Sequence, residues 1–314
     1  MSDIVILTEA GGSVGYGHLM RCLAIANHAN SEIYVHSDGE YPKNNLIKPC
    51  QWRTELNRLT DMIPDSSSIL VDSYLAQNDL YEILSEKYKF VSVLDDYNRI
   101  EYPVSLIINP GVKQLNYNNQ TAKVVGGNEY IILRDEIIQH KRKSNYDEYE
   151  NLLITFGGSN AISTYENLMP LLSGLSKMRI NIITGNINIS IILSKKYDFP
   201  NINWYGQANA SEMAALMFRS DLCVCSGGQT LHELAYIGVP AICIETGKDQ
   251  KNNIDGYFDH GFLLNKFSLK TSNLLKKLHR VLSDYTDAQL RKEVSDKGKF
   301  LVDGQGANRI AGLL

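Results

Sequence analysis

Short apolar runs alternate with helix-patterned stretches from one end of the chain to the other, and nothing else in the sequence restricts the fold as strongly. The runs at 4–8 (IVILT), 32–37 (EIYVHS), 68–74 (SILVDSY), 90–96 (FVSVLDD) and 106–110 (LIINP) read as strands ending in polar residues. Leu19, Met20, Leu23, Ala24 and Ala26 share one face of a helix, and Leu80, Ile83 and Leu84 share a face of another. Strands alternating with helices build a parallel sheet covered on both faces. After a charged stretch without aliphatic residues, QHKRKSNYDEYE at 139–150, the pattern restarts with strands at 151–160, 180–186, 202–207, 221–228 and 240–245. The spacing predicts an α/β chain of two doubly wound, Rossmann-like domains, 1–140 and 141–314, with a linker or exposed turn at 139–150. A length of 314 residues fits two domains of ~150 each. Two such domains facing a cleft would bind ligands beyond the carboxyl ends of their strands.

Three glycine-rich segments fall at those ends: GGSVGYG (11–17), GGS (157–159) and SGGQT (226–230). Glycine permits close backbone approach, and a helix N-terminus offers unpaired N–H groups to an anion. Three such loops point to a phosphate-bearing ligand held by Gly15, Gly17, Gly157, Gly158, Ser226, Gly227 and Gly228. The glycine spacing does not fit the dinucleotide fingerprint, and no G-K-[ST] of a P-loop occurs.

His18 falls in the first turn of the first helix, where the dipole favours a neutral imidazole able to accept a proton. A histidine that only packs or caps the turn fits the position equally. Arg21, three residues on, is placed to hold a phosphate or a carboxylate. Glu233 has two readings of equal weight: a capping box with Thr230, or a carboxylate accepting the ribose hydroxyls of a nucleotide. Asp72 and Tyr74, like Asp95 and Asp96, follow strands and either face the ligand or cap turns. His28, His36, His140, His232, His260 and His279 show no partner pattern.

Charge and cysteine content narrow the class. A net charge of −4 gives no bulk attraction to nucleic acid. Five cysteines without framework spacing read as reduced thiols, with Cys223 and Cys225 on one face of a core strand, and no metal-ligand spacing is present. The apolar run at the start covers only Ile4 to Leu7 and has no cationic leader. That predicts neither signal peptide nor membrane insertion, and a cytoplasmic protein.

VGYGHLMRCLAIA (14–26) resembles the G-x-G-H opening of the PseG family, UDP-2,4-diacetamido-2,4,6-trideoxy-β-L-altropyranose hydrolases within the MurG-like glycosyltransferase-B superfamily. The resemblance continues in order through LVDSYLAQ, VLDDYN, VVGGNEYIILRDEI, ITFGGSN, the segment from Asn209 to Gln250, and VDGQGANRIA. It implies a glycosyltransferase-B fold and inverting hydrolysis of a UDP-linked sugar, without cofactor or metal. His18 would be the base, Asp96 or Tyr74 would position water or sugar, and Gln250 would join the nucleotide-binding residues. The chain departs from the family at Ser73, where a histidine is usual, at Asn160, where aspartate is usual, and in the turn NPGVKQLNY. A glycosyltransferase of the same fold and a non-catalytic nucleotide-sugar sensor are the alternatives. The basic residues Lys43, Lys48, Arg53 and Arg58 are interrupted by Glu55 and poor in aliphatics, which favours the hydrolase over a transferase acting on a lipid.

Overall fold

The parallel alternation is realised as two sheets in two units of the chain. The computed structural model describes residues 3–11, 14–41, 43–117, 121–157 and 162–314. One unit comprises Met1–Arg134 and Gly304–Leu314, the other Asp135–Asp303.

In the first unit the chain runs β1 (Ile4–Ala10), α1 (Gly17–Ala26), β2 (Ser31–Ser37), β3 (Ile47–Pro49), α2 (Leu56–Met62), β4 (Ser68–Asp72) and α3 (Asn78–Lys87). It continues through β5 (Val91–Leu94), β6 (Leu106–Asn109) and β7 (Lys123–Gly126). The sheet order is β3-β2-β1-β4-β5-β6-β7, with every pairing parallel. The connections run outward from β1 one way and from β4 the other, so the switch point lies where these two strands end side by side. All seven residues of β1 are buried, as a central strand covered on both faces requires. Val5, Leu7, Ile69 and Val71 pack with Trp52, Leu59 and Leu84 on one side. Ile4, Ile6 and Leu70 pack with Leu19, Leu23 and Ile25 of α1 on the other. Alternation along β4 therefore sends Asp72 to the α1 side.

The second unit carries α4 (Asp135–Ile138), β8 (Asn151–Thr155), α5 (Ile162–Glu166), α6 (Met169–Leu172), β9 (Arg179–Ile183), α7 (Ile187–Lys196), β10 (Ile202–Tyr205) and α8 (Ala210–Arg219). Then come β11 (Leu222–Cys225), α9 (Gln229–Ile237), β12 (Ala241–Glu245), α10 (Lys251–Asp259), β13 (Phe267–Ser268), α11 (Leu274–Asp284) and α12 (Ala288–Leu301). Its order, β10-β9-β8-β11-β12-β13, puts a second switch point between β8 and β11. Side-chain caps start several helices: Asn186 for α7, Asp287 for α12, and an Asn209–Glu212 capping box for α8. Cys223 and Cys225 are buried on β11, with Cys243 beside Cys225 on β12, and all five cysteines are free thiols.

Three features differ from the sequence expectation. The division falls at Arg134/Asp135 rather than 140/141, and α13 (Gly306–Ala311) returns to the first unit, burying Ala307 and Ile310 in the α1-side core. The 139–150 stretch is largely exposed, as expected, but lies inside the second unit and is anchored to it by a few side chains. Lys143 pairs with Asp221 at 2.7 Å, Arg142 donates to the Tyr236 carbonyl at 2.7 Å, and Tyr146 is buried. Lack of aliphatic residues misleads there because the polar side chains find buried partners. The short strands β3, β7 and β13 carry too few apolar residues to stand out by periodicity.

Candidate active site

The loop from β1 into α1 closes on itself: Gly11 and Gly15 exchange both backbone hydrogen bonds, at 3.1 and 2.7 Å. Gly11 has φ +138°, and a Cβ there would sit 1.8 Å from an Asp38 carboxylate oxygen, so only glycine fits. Tyr16 and Gly17 follow and α1 begins, which puts His18 on its second residue, 6% exposed.

His18 Nδ1 lies 2.7 Å from Asp72 Oδ1. Arg21 donates to the same carboxylate through Nε (2.7 Å) and Nη2 (2.6 Å), and through Nη1 to Asp96 Oδ1 (2.9 Å) and Oδ2 (2.8 Å). Tyr74 donates its hydroxyl to Asp96 Oδ2 at 2.5 Å, and its ring meets the His18 ring edge-on, centroids 4.2 Å apart. Cys22 Sγ adds a 3.4 Å contact to Asp72 Oδ2. Six side chains from α1 and the ends of β4 and β5 thus converge at the first switch point.

The electrostatics fix the proton on His18. Burial alone would push the Asp72 carboxyl up, but Arg21 and His18 outweigh it and hold the group well below the usual carboxylate range. Burial alone would lower Arg21, and Asp72 with Asp96 outweigh that and raise it. An ionised Asp72 only accepts hydrogen bonds, so Nδ1 carries the proton and the lone pair sits on Nε2. Nε2 has no partner among the described residues. The dyad is therefore a hydrogen-bond acceptor held in one tautomer by a buried carboxylate.

Of the residues expected here, His18, Arg21, Tyr74 and Asp96 come together, with Gly15 and Gly17 in the loop leading in. Arg21 was expected among the ligand-binding residues. Its guanidinium takes the carboxylate alternative, committed to two of them, because buried Asp72 and partly buried Asp96 need a fixed cation more than the helix face needs an open one. Asp95 turns away from Asp96 and organises a turn, accepting from the amides of Asn98 and Arg99 and the hydroxyls of Tyr102 and Tyr117. Asp72 is the residue the sequence reading left among undecided strand-end carboxylates. No local signal set it apart, because its place beside His18 depends on β4 lying next to β1.

In the second unit, Ser226, Gly227 and Gly228 link β11 to α9, and Ser226 Oγ donates to the Phe156 carbonyl at 3.4 Å, beside Gly157 (φ +81°). Gly158 and Asn160 lie outside the described residues. A Cβ on Gly227 would sit 2.5 Å from Ile254 Cγ1. Gln250 Oε1 accepts from the amides of Gly227 (3.2 Å) and Thr246 (3.0 Å), so this side chain braces the glycine turn. The Thr230–Glu233 capping box does not form. Gly228 is the N-cap of α9, no side chain caps it, and Thr230 is already helical, because the glycines turn the chain directly from strand to helix. Glu233 is buried one turn inside. Among the described residues no cluster of His, Cys, Asp and Glu is arranged to hold a metal ion, and no helix is long and apolar enough to cross a membrane.

Residues 152–304 match the family model of the glycosyltransferase family 28 C-terminal domain. Across 95% of its length the chain is 26% identical to an uncharacterized protein of Methanocaldococcus jannaschii, spanning 64% of that protein. It is 23% identical, over 79% of its length and 45% of the relative's, to a Helicobacter pylori protein named pseudaminic acid cytidylyltransferase and UDP-2,4-diacetamido-2,4,6-trideoxy-β-L-altropyranose hydrolase. Spore coat polysaccharide biosynthesis protein SpsG of Bacillus subtilis is 22% identical, over 98% of the chain and 96% of SpsG. Among solved structures, Acinetobacter baumannii MurG superimposes with a TM-score of 0.67 at 15% identity, covering 98% of each chain. A UDP complex of S. aureus MnaA gives 0.66 at 12% identity, covering 99% of this chain and 95% of the other. The fold is that of glycosyltransferase-B proteins.

Proposed function

We propose that this protein is a cytoplasmic enzyme that hydrolyses a UDP-linked diacetamido-trideoxy sugar at its anomeric carbon. The observation that carries the reading is the His18–Asp72 dyad, with Nε2 left to accept a proton. Nε2 takes a proton from water. The water oxygen bonds to the anomeric carbon on the face opposite the nucleotide, and the electrons of the broken carbon–oxygen bond leave with the β-phosphate. The products are UDP and the free sugar with inverted configuration. Asp72 stabilises the imidazolium that forms, while Tyr74 and Asp96 position water or sugar. The Ser226–Gly228 turn and the N-terminus of α9 are the candidate phosphate-binding element, with Glu233 a ribose ligand. The reaction needs no metal or organic cofactor. Resemblance to 45% of the H. pylori protein, whose name includes this hydrolase, supports the substrate class.

The match to a glycosyltransferase family 28 domain favours one second reading, in which His18 deprotonates an acceptor hydroxyl instead of water. Release of UDP from a panel of UDP-sugars, without acceptor and with EDTA, separates the two. Hydrolysis predicts turnover of the 2,4-diacetamido-2,4,6-trideoxy sugar in that mixture. Intact UDP binding with no release across the panel would overturn it. In the active case His18→Asn should lower kcat by ~10²–10⁴, or about 3–5 kcal/mol of barrier, with UDP affinity unchanged.

A further inference from the structure

Glu9 is the penultimate residue of β1, next to Thr8, the register partner of Asp72, and is 1% exposed, yet the dyad does not use it. Its Oε1 accepts the Ser73 hydroxyl and lies 3.3 Å from Arg53 Nε, and its Oε2 has no hydrogen-bond partner among the described residues. A serine hydroxyl has one proton and two lone pairs. Ser73 Oγ accepts from the amides of Leu75 (3.1 Å) and Ala76 (2.8 Å), so both lone pairs are taken and the proton must go elsewhere. Ser73 is 2% exposed, and Glu9 is the acceptor it reaches. Alternation puts this pair on the face of the sheet opposite Asp72. Between Ser73 and Leu75 stands Tyr74, whose ring meets His18 and whose hydroxyl holds Asp96.

We propose that Glu9 and Ser73 form a positioning pair: Glu9 takes the Ser73 hydroxyl proton, and that bond fixes the turn from which Tyr74 reaches His18 and Asp96. The proposal rests on the reading of His18 as the base. It assigns a function to a serine that stands where the resembling family carries a histidine. A hydroxyl saturated on all three sides holds the turn in one conformation. Without its acceptor, the hydroxyl must rotate and give up one of the two amides, releasing the backbone on either side of Tyr74. Glu9 touches none of the proposed reacting groups; its charge also reaches His18 and Asp72 through space, and the uncharged Glu9→Gln, which keeps the acceptor, separates that effect from the positioning of Tyr74.

The test compares Glu9→Ala, Ser73→Ala, the double variant and Glu9→Gln. Steady-state UDP release is one readout. The other is the His18 imidazole nitrogen signals of the unliganded protein by NMR, assigned by their loss in His18→Asn. Each alanine variant should lower kcat by about tenfold, the scale of a slightly misplaced group, with KM within about twofold. The double variant should lose no more than either single one. Glu9→Gln, whose amide oxygen accepts the same proton, should keep kcat within about threefold and leave the His18 signals in place, whereas both alanine variants shift them. Multiplying effects in the double variant, His18 signals unmoved in Glu9→Ala, or a glutamine variant as impaired as the alanine would each overturn the pair. If the wild-type protein releases no UDP from any sugar, the proposed reaction fails, and the imidazole signals still decide the positioning pair.

Discussion

Replacing Asp72 by asparagine separates the tautomer of His18 from its mere presence. The carboxylate accepts from His18 Nδ1 at 2.7 Å, Arg21 Nε at 2.7 Å, Arg21 Nη2 at 2.6 Å and Cys22 Sγ at 3.4 Å, and it is fully buried. An amide has one accepting oxygen and one donating nitrogen, so whichever way it lies, its NH₂ faces one arm of Arg21. Arginine cannot yield a proton, but histidine can move one. The favoured orientation therefore turns the amide NH₂ toward His18 Nδ1, which becomes the acceptor, and the ring proton moves to Nε2. The lone pair that would take a proton from water is gone.

General-base assistance is worth ~10²–10⁴ in rate, and asparagine at the corresponding position of Ser-His-Asp hydrolases costs ~10⁴. Asp72→Asn should thus lower kcat for UDP release by about 10³ with little change in KM. Stability should fall as well, near the lower end of the 3–5 kcal/mol typical of breaking a buried ion pair, because Arg21 keeps both oxygens of Asp96. About 3 kcal/mol corresponds to roughly 6–12 °C in Tm for a domain of ~150 residues or more. Asp96→Asn is the matched control. It leaves the Asp72–His18 contact intact and should cost no more than about tenfold in kcat. Steady-state UDP release and calorimetry on both variants decide the matter. An Asp72→Asn enzyme within threefold of wild type, or an Asp96→Asn enzyme equally crippled, would refute the tautomer argument.

Three other perturbations address different parts of the chain. Burial raises the Glu9 carboxyl, with Ser73 and Arg53 only partly offsetting it, so the folded state binds a proton the unfolded chain has released. Stability should therefore fall as pH rises from ~4.5 through the folded value, and Glu9→Gln should gain Tm over wild type at pH 7 but not at pH 4. A gain independent of pH would contradict this sign. Asp72, held low, works the other way: its contribution is complete above pH ~4 and is lost on acidification toward its folded value, so Asp72→Asn should show a shallower acid limb in Tm against pH. Gly227→Ala would press a methyl within 2.5 Å of Ile254 and should cost about 1–3 kcal/mol by calorimetry while weakening UDP binding tenfold or more; undisturbed affinity would remove this turn from the nucleotide site. Glu233 is buried, so Glu233→Ala should lower Tm, and the nucleotide reading adds a loss of affinity in UDP titration; unchanged affinity would return Glu233 to a packing role.

The two doubly wound units were legible because buried parallel strands must be apolar on both faces, and IVILT, SILVD and NLLIT show this without ambiguity. His18 was legible because it follows a glycine loop at a strand end. Asp72 was not singled out, because nothing in LVDSYL distinguishes a carboxylate facing α1 from one capping a turn. The decisive information is that β4 lies next to β1, across a gap of 54 residues between His18 and Asp72. Glu233 misled for the opposite reason. Thr230-x-x-Glu233 has the right letters for a capping box, yet two glycines start the helix before the threonine can cap it.

The same topology explains why the chemistry concentrates where it does. At the β1–β4 switch point two strands end side by side with no crossover helix covering the gap between their ends, so consecutive residues there face two separate spaces. Asp72 enters one and holds His18; Ser73 enters the other and holds Glu9. Tyr74, the next residue, is bound from both sides: through its own ring and hydroxyl on the His18 side, and through the Ser73 turn on the Glu9 side. Three successive residues thereby couple the orientation of the base, its aromatic neighbour and a buried acid. A substitution at any of the three should be felt by the other two.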